Sequence, residues 1–334
     1  MIFPRVQAIR LIYPNHKNKR PFCVKRKITQ NGLFLFHADE QPRKEVSAIN
    51  SFMSWIGGKK ALRDEILLRF PLSFERYIEV FGGGGWVLFH KPPGREMEVY
   101  NDFNPNLVNL YRCVREHPEE LIGELTFVLN SRLDFDYVRE MLHTKTNLPD
   151  VKRAAYFYQL IRQSYASGLD SFGAQPSNMW NNFPQIRSAC ERLQKVVIEN
   201  KDFEKLIKQY DRPEAFFYCD PPYYDTEDYY EDVGFTKKDH ERLAETLGGI
   251  KGKFLLSYND CPEIRSLYAK PGITIESTSR LSNIAQRYEG GKQYAELLIA
   301  NYDTMAKISE SRQLSLFDSD ESEKILKERK LIWK

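Results

Sequence analysis

The sequence predicts an α/β fold built on a largely parallel sheet, and two patterns support this prediction. From about residue 52 onward, short apolar runs bounded by turn residues alternate with amphipathic helical patterns. The runs are almost continuously apolar, as in strands that are buried on both faces of a parallel sheet. The predicted strands are Tyr77–Phe81, Met97–Asp102, Val196–Asn200, Ala215–Asp220, Lys253–Asp260, Ile273–Ser277 and Ala295–Tyr302.

Helical patterns fill the intervals between these strands. In residues 104–116 the apolar side chains share one face, and Asn104 can cap the helix. A second helix is predicted over 236–247, with Thr236 as its cap. Residues 111–195 break the alternation because they are mostly helix and loop, so they predict a helical insertion carried by the sheet domain.

The composition excludes several classes of protein. The 334 residues are 42% hydrophobic and 13% aromatic, which is enough for a sizeable core and unlike a disordered or collagen-like chain. No uncharged apolar run approaches the roughly 18 residues of a transmembrane helix. The five cysteines form no Cys-x-x-Cys and the six histidines have no paired ligand spacing. We therefore expect reduced thiols, a cytoplasmic protein and no metal site.

Positive charge is concentrated at the start of the chain. Residues 1–50 hold ten Lys and Arg against three acidic residues, whereas the whole chain has a net charge of only +3. This basic N-terminal extension suggests a polyanionic partner, although charge alone favours a merely solvated face. At the other end, the chain becomes polar and charged, which predicts a tail over 306–334.

A glycine-rich motif follows the first predicted strand. Phe81 is followed by Gly82-Gly83-Gly84-Gly85 and then by a predicted short helix. Glycines allow the backbone to approach a ligand where a Cβ would clash, although a tight turn alone would also use them. A dinucleotide fingerprint needs a third glycine where Val87 stands, which weakens the prediction of a nicotinamide oxidoreductase.

Two acidic residues follow other strands. Asp102 ends the second strand, where a carboxylate can bind ribose hydroxyls, a cue that NAD and S-adenosylmethionine both satisfy; capping of the next helix is the alternative. Asp220 ends a later strand and is followed by Pro221, Pro222 and Tyr223. The prolines fix the backbone, so Asp220 and the Pro221 carbonyl can accept hydrogen bonds from an exocyclic amine while Tyr223 stacks on its base.

A fourth motif is Trp55-Ile56-Gly57-Gly58-Lys59, before a helix predicted from about Lys60. Along the chain the motifs follow the order Trp-x-Gly-Gly-Lys, Phe-Gly-Gly-Gly-Gly, Asn-Asp-x-Asn and Asp-Pro-Pro-Tyr. In this order they resemble the Dam-like, D12 class of DNA adenine-N6 methyltransferases over roughly residues 50–303. The resemblance implies a Rossmann-like, S-adenosylmethionine-dependent methyltransferase sheet whose last strand is antiparallel. It divides the chain into a discontinuous catalytic domain, 51–110 and 196–305, and a target-recognition insertion, 111–195.

The resemblance also implies a site. The residues that it implies as catalytic are Asp220, Pro221, Pro222 and Tyr223. The residues that it implies as contacts of S-adenosylmethionine are Trp55, Lys59, Phe81, Gly82, Gly83, Asp102, Asp202, Phe203 and Asp220. The implied partner is double-stranded DNA, the implied origin of the protein is a bacterium, phage or mobile element, and restriction-modification is an implied context. The chain departs from the family at Ser54, where Lys is common, and it lacks the Phe-Asn-x-Pro stretch associated with GATC specificity.

The implied reaction requires that the target adenine be flipped out of the duplex. An amino-methyltransferase acting on cytosine N4 or on RNA remains an alternative, and a catalytically inactive DNA-binding module is a more distant one. A cytosine-C5 enzyme would need a Pro-Cys nucleophile, whereas Cys219 precedes the aspartate and lies within a strand.

The polar tail contains one apolar motif. Gln313-Leu314-Ser315-Leu316-Phe317 resembles the peptide by which bacterial replication and repair proteins dock on the sliding clamp. Its apolar residues would suit a hydrophobic pocket on a partner, with the tail ordering on binding. The alternative is that these residues pack on the sheet domain.

Overall fold

The computed structural model describes residues 48–175, 178–226, 234–281, 293–307 and 309. Within these ranges one mixed sheet has helices packed on its faces. Its strands are β1 Arg76–Glu79, β2 Met97–Asn101, β3 Val196–Glu199, β4 Ala215–Cys219, β5 Lys253–Asn259, β6 Thr274–Leu281 and β7 Gln293–Ala300. The helices are α1 Arg63–Leu68, α2 Trp86–His90, α3 Pro105–Glu116, α4 Pro118–Leu125, α5 Arg132–Thr144, α6 Asp150–Gln163, α7 Phe183–Leu193, α8 Phe203–Tyr210, α9 Lys237–Gly248 and α10 Pro262–Tyr268.

The strands are arranged in the order β3-β2-β1-β4-β5-β7-β6. The pairs among β3, β2, β1, β4 and β5 are parallel, whereas β7 lies between β5 and β6 and is antiparallel to both. The predicted fold, including its antiparallel last strand, is therefore confirmed. The chain leaves β1 toward β2 on one side and returns to β4 on the other, which creates the crevice where ligands bind in open α/β sheets.

Local sequence signals explain the ends of two helices. The side chain of Asn104 accepts hydrogen bonds from the backbone amides of Asn106 and Leu107, at 3.0 and 3.2 Å, and so caps α3. Thr236 and Asp239 form a reciprocal capping box at the start of α9. Both predicted caps are confirmed.

Most element boundaries differ from the prediction by one or two residues, and two differ by more. Helix α1 begins at Arg63 rather than near Lys60, because residues 56–62 form turns that direct the Lys59 side chain inward. Strand β6 extends four residues past Ser277. Three of the four added residues, Thr278 to Arg280, are polar, and the pairing with β7 includes all four.

Helices α4 to α7 lie within residues 111–195, the range for which the sequence predicts a mostly helical insertion. The expected boundary at residue 110 falls within α3, whose buried residues continue past it to Tyr111 and Val114. One buried cluster joins sheet residues such as Tyr77 and Phe216 to insertion residues such as Tyr158. Sheet and insertion thus share a core in this part of the chain.

Residues 1–47 of the basic extension and the Gln313–Phe317 motif lie outside the described residues. In the ranges given above, no helix is long and apolar enough to cross a membrane.

Candidate active site

The glycine loop between β1 and α2 is fixed by its neighbours. A Cβ on Gly82 would lie 2.2 Å from the Tyr100 ring, and Gly83 has a φ of +48°. The hydroxyl groups of Tyr100 and Tyr111 donate hydrogen bonds of 2.8 and 3.1 Å to the Gly83 carbonyl oxygen. The loop therefore requires glycine both for space and for its backbone conformation.

Asp102 lies beside this loop at the end of β2. Its Oδ2 accepts a 2.9 Å hydrogen bond from the Gly83 amide, and its Oδ1 accepts one of 2.8 Å from the Asn104 amide. Burial raises the pKa of the Asp102 carboxyl, and these amide hydrogen bonds oppose that rise. Asp102 therefore braces the glycine loop through its carboxylate.

The Trp55 side chain covers the same loop. A Cβ on Gly83 would lie 2.8 Å from Trp55 Cδ1, so the indole packs directly against the glycine backbone. Ser51 Oγ donates a 2.5 Å hydrogen bond to the Gly84 carbonyl oxygen, which holds the preceding segment in place. Trp55, Gly83 and Asp102 thus form one group of contacts.

A second group of contacts surrounds Asp220. Lys59 Nζ lies 2.6 Å from Asp220 Oδ1, and the Lys59 side chain is only 2% exposed. The same nitrogen lies 4.7 Å from the centre of the Tyr223 ring and donates to the Gly57 carbonyl oxygen at 3.1 Å. The structure brings Lys59, Asp220 and Tyr223 together, although they come from two distant parts of the chain.

The segment after Asp220 is anchored from β5 and β7. Pro221 and Pro222 are buried, and the Tyr223 hydroxyl donates a 2.8 Å hydrogen bond to Glu296 Oε2. The Asn259 side chain accepts from the Tyr224 amide and donates to the Tyr224 carbonyl oxygen, both at 3.1 Å. These anchors fix the backbone on which the predicted catalytic side chains stand.

A third group is aromatic. The ring centroids of Phe81 and Phe203 lie 5.6 Å apart, and Phe235 lies 5.9 Å from both. Asp202 caps α8, and Arg242 binds both of its carboxylate oxygens at 2.8 and 3.1 Å. The Arg242 guanidinium also lies 4.0 Å from the centre of the Phe203 ring. An adenine at Asp202 would have to share the carboxylate with Arg242.

The sequence motifs assign no site role to Asn259, Glu296, Phe235 or Arg242, although the segment Leu256–Asp260 and the run Glu296–Ile299 also fit the family resemblance. Glu296 had a usable signal, since it is a charged residue that opens the apolar run of the last strand. For Asn259 and Arg242, nothing local marks the contact, which depends on the packing of distant elements.

The site offers hydrogen-bond acceptors and aromatic surface. No group of three or more His, Cys, Asp or Glu that could hold a metal ion occurs among the residues described. Burial raises the pKa of the Cys219 thiol well above its ordinary value, which opposes formation of a nucleophilic thiolate. The glycine cradle, where a Cβ on Gly82 or Gly83 would clash with an aromatic ring, fits a nucleoside-bearing cofactor that needs close backbone approach.

Comparison with known proteins supplies the family context. A model of the D12 class N6 adenine-specific DNA methyltransferases matches residues 55–287. The type II methyltransferase M1.LlaDCHI of Lactococcus lactis subsp. cremoris is 29% identical over 281 residues, covering 76% of this chain and 96% of that protein. The retron Ec67 DNA adenine methylase of Escherichia coli is 27% identical over 235 residues, covering 66% and 81%. The DNA adenine methylase of Haemophilus influenzae is 27% identical over 184 residues, covering 52% and 63%.

Proposed function

Because this chain belongs to the D12 class of N6 adenine-specific DNA methyltransferases, we propose that the segment Asp220–Tyr223 carries out its methyl transfer. The observation that supports this assignment is the contact of Lys59 with both Asp220 and the Tyr223 ring. Lys59 binds Asp220 Oδ1 and thereby orients the carboxylate at the carboxyl end of β4.

The methyl donor of the family is S-adenosylmethionine, which supplies an electrophilic methyl group on a sulfonium sulfur. We assign its binding to the three groups of contacts along the strand ends. Trp55 and the glycine loop accommodate the methionine part of the cofactor, and Asp102 accepts hydrogen bonds from its ribose. Phe81 and Phe203 supply aromatic surface for its adenine, with Asp202 beside them.

The protein's own groups act on the target amine. With the base flipped out, Asp220 and the Pro221 carbonyl oxygen accept the two N–H groups of N6, and Tyr223 stacks on the ring. These acceptors would direct the nitrogen lone pair out of the ring system and toward the electrophilic methyl group that bound S-adenosylmethionine would supply. The nitrogen would then lose one proton, and Asp220, which accepts one of its N–H groups in this arrangement, would be placed to take it. Preorganised acceptors and proximity provide the acceleration.

The experiment measures transfer of labelled methyl groups to unmethylated bacterial DNA, with nucleoside analysis of the product. Asp220→Ala is expected to abolish N6-methyladenine formation while the protein stays folded. Tyr223→Ala should lose roughly ten- to a hundredfold in rate, since stacking on a base is worth roughly 1–3 kcal/mol. Asp64→Ala, which alters an exposed carboxylate, serves as the control. Near-normal turnover by Asp220→Ala would refute the assignment.

We also assign target recognition to the insertion, residues 111–195. More than half of the large exposed apolar side chains of the described residues lie there, including Phe127 at 87% and Trp180 at 59% exposure. Two hydrogen bonds tie the loops that carry them, from Trp180 Nε1 to the Thr126 carbonyl oxygen and from Asn130 to the Gln175 carbonyl oxygen. Trp180→Ala should therefore weaken DNA binding without changing cofactor affinity.

For the basic extension and the Gln313–Phe317 motif, we propose functions on the basis of sequence alone. The basic extension, residues 1–50, strengthens DNA binding through phosphate contacts that do not select sequence. The Gln313–Phe317 motif docks on a bacterial sliding clamp, which would bring the enzyme to newly copied, unmethylated DNA.

A further inference from the structure

A fully buried carboxylate lies next to the proposed catalytic segment. Glu296 stands in β7, opposite Asn259 of β5 and Thr278 of β6, and its exposure is 0%. It opens the run Leu297–Ala300, whose residues are all buried and apolar. A charge in such a place is costly unless hydrogen bonds compensate it, so its retention calls for a specific contact.

That contact is made with Tyr223. Glu296 Oε2 accepts a 2.8 Å hydrogen bond from the Tyr223 hydroxyl, although the two residues are 73 positions apart in the chain. On the ring itself, Lys59 Nζ lies 4.7 Å from the centroid. The backbone of the next residue is held by Asn259, which stands directly opposite Glu296 in the sheet. The orientation of Tyr223 is thus determined from its hydroxyl, its ring face and its backbone.

We propose that Glu296 is a positioning residue for methyl transfer, acting through the hydroxyl of Tyr223; this inference rests on the function proposed for the site. A tyrosine that stacks on a flipped base must keep its ring in one plane while the base arrives and leaves. A hydrogen bond to a buried carboxylate is a strong, directional constraint on that ring. It also makes the phenol more electron-rich, which favours contact with a base whose amine gains positive charge during the reaction.

The test is a set of variants of the full chain, assayed for a single turnover of labelled methyl transfer to unmethylated DNA. Glu296→Met removes the acceptor at similar volume, and Glu296→Gln restores an acceptor oxygen. Tyr223→Phe removes the donor. Glu276→Met is the matched control, because it alters a carboxylate of the adjacent strand whose partners are Arg69 and Thr304.

We expect Glu296→Met and Tyr223→Phe each to lower the single-turnover rate by about ten- to a hundredfold, with cofactor and DNA affinities within about twofold of the parent. Glu296→Gln should recover most of the rate. Combining Glu296→Met with Tyr223→Phe should cost no more than either change alone, because both remove the same bond. Glu276→Met should retain the parental rate.

Three outcomes would overturn the inference: a parental rate for folded Glu296→Met, a parental rate for Tyr223→Phe, or additive losses in the double variant. The second and third use Tyr223→Phe, and the second remains decisive if Glu296→Met does not fold. If Asp220→Ala and Tyr223→Ala are also fully active, the proposed function of the site fails as well. If only the Glu296 and Tyr223→Phe variants are fully active, the site stands and the positioning role alone is wrong.

Discussion

Glu79 lies buried on β1, next to β4, the strand that leads to Asp220. Burial raises the pKa of the Glu79 carboxyl to about 8. Hydrogen bonds from the Tyr77 hydroxyl and the Leu88 amide oppose this rise, and the negative charge of Asp220 adds to it. At neutral pH the protein therefore holds Glu79 largely as the neutral acid. This avoids placing a second negative charge beneath the carboxylate proposed to hold the target amine.

This residue makes the free energy of unfolding depend on pH. The pKa of Glu79 is 4.5 in the unfolded chain and about 8 in the folded protein. The stabilisation of the fold by the proton on Glu79 is therefore complete below pH 4.5, and it is lost as the pH rises through about 8. Between these two pH values, the contribution of Glu79 should make the free energy of unfolding fall by up to about 1.4 kcal/mol for each unit that the pH rises. Urea unfolding of the parent and of Glu79→Gln at several pH values isolates the effect. If the difference between the two proteins does not change from pH 5 to pH 8.5, Glu79 does not titrate as described.

At the scale of elements, the glycine loop is a tightly constrained turn from β1 into α2. Gly82→Ala should place a Cβ 2.2 Å from Tyr100 and cost about 1–3 kcal/mol of stability, with loss of cofactor binding as the loop shifts. In Gly123→Ala the new Cβ meets nothing within 4 Å on helix α4, so this variant should be neutral or more stable by up to about 1 kcal/mol. Thermal unfolding and cofactor titration check both variants. Equal behaviour of the two would contradict the steric argument.

The elements themselves were largely predictable from sequence, because strand burial and helix caps are local properties. The apolar runs predicted all seven strands, and Asn104 and Thr236 marked the starts of their helices. The contacts of the site were less predictable. The Lys59–Asp220 pair joins residues 161 positions apart, and the partner of Tyr223 comes from an antiparallel strand inserted between two others. Such pairs depend on strand order, which a single sequence does not encode locally.

At the scale of the whole molecule, the segment that carries Trp55 and Lys59 lies between the sheet and the insertion. The Tyr158 hydroxyl of α6 donates a 2.9 Å hydrogen bond to the Phe52 carbonyl oxygen, and Ser167 Oγ lies 2.7 Å from Ser54 Oγ. The insertion proposed to read DNA therefore contacts the same short segment that reaches Asp220. We therefore expect this segment to connect the region proposed to recognise DNA with the carboxylate proposed to hold the target amine.

The basic extension leads to a prediction about salt. If its lysines and arginines bind phosphates, each contact contributes up to about 0.9 to the slope of log affinity against log salt. Deletion of residues 1–45 should therefore flatten that slope, while the methylated sequence stays the same. Affinity measured from 50 to 300 mM salt, together with methylation-sensitive sequencing, tests both parts. A changed methylated sequence would mean that the extension reads bases, and an unchanged slope would mean that it does not bind phosphates.

The C-terminal tail leads to the last prediction, which concerns a partner. Leu314, Leu316 and Phe317 place three apolar side chains within a polar segment, and such anchors suit a hydrophobic pocket on another protein. The full chain should bind purified bacterial sliding clamp, and Leu316→Ala with Phe317→Ala should weaken binding by at least about tenfold, as expected for loss of two buried apolar anchors. Asp320→Ala, outside the motif, should bind like the parent. Calorimetry or surface plasmon resonance measures all three, and if the parent does not bind, or the double variant binds equally well, the motif is not a clamp ligand.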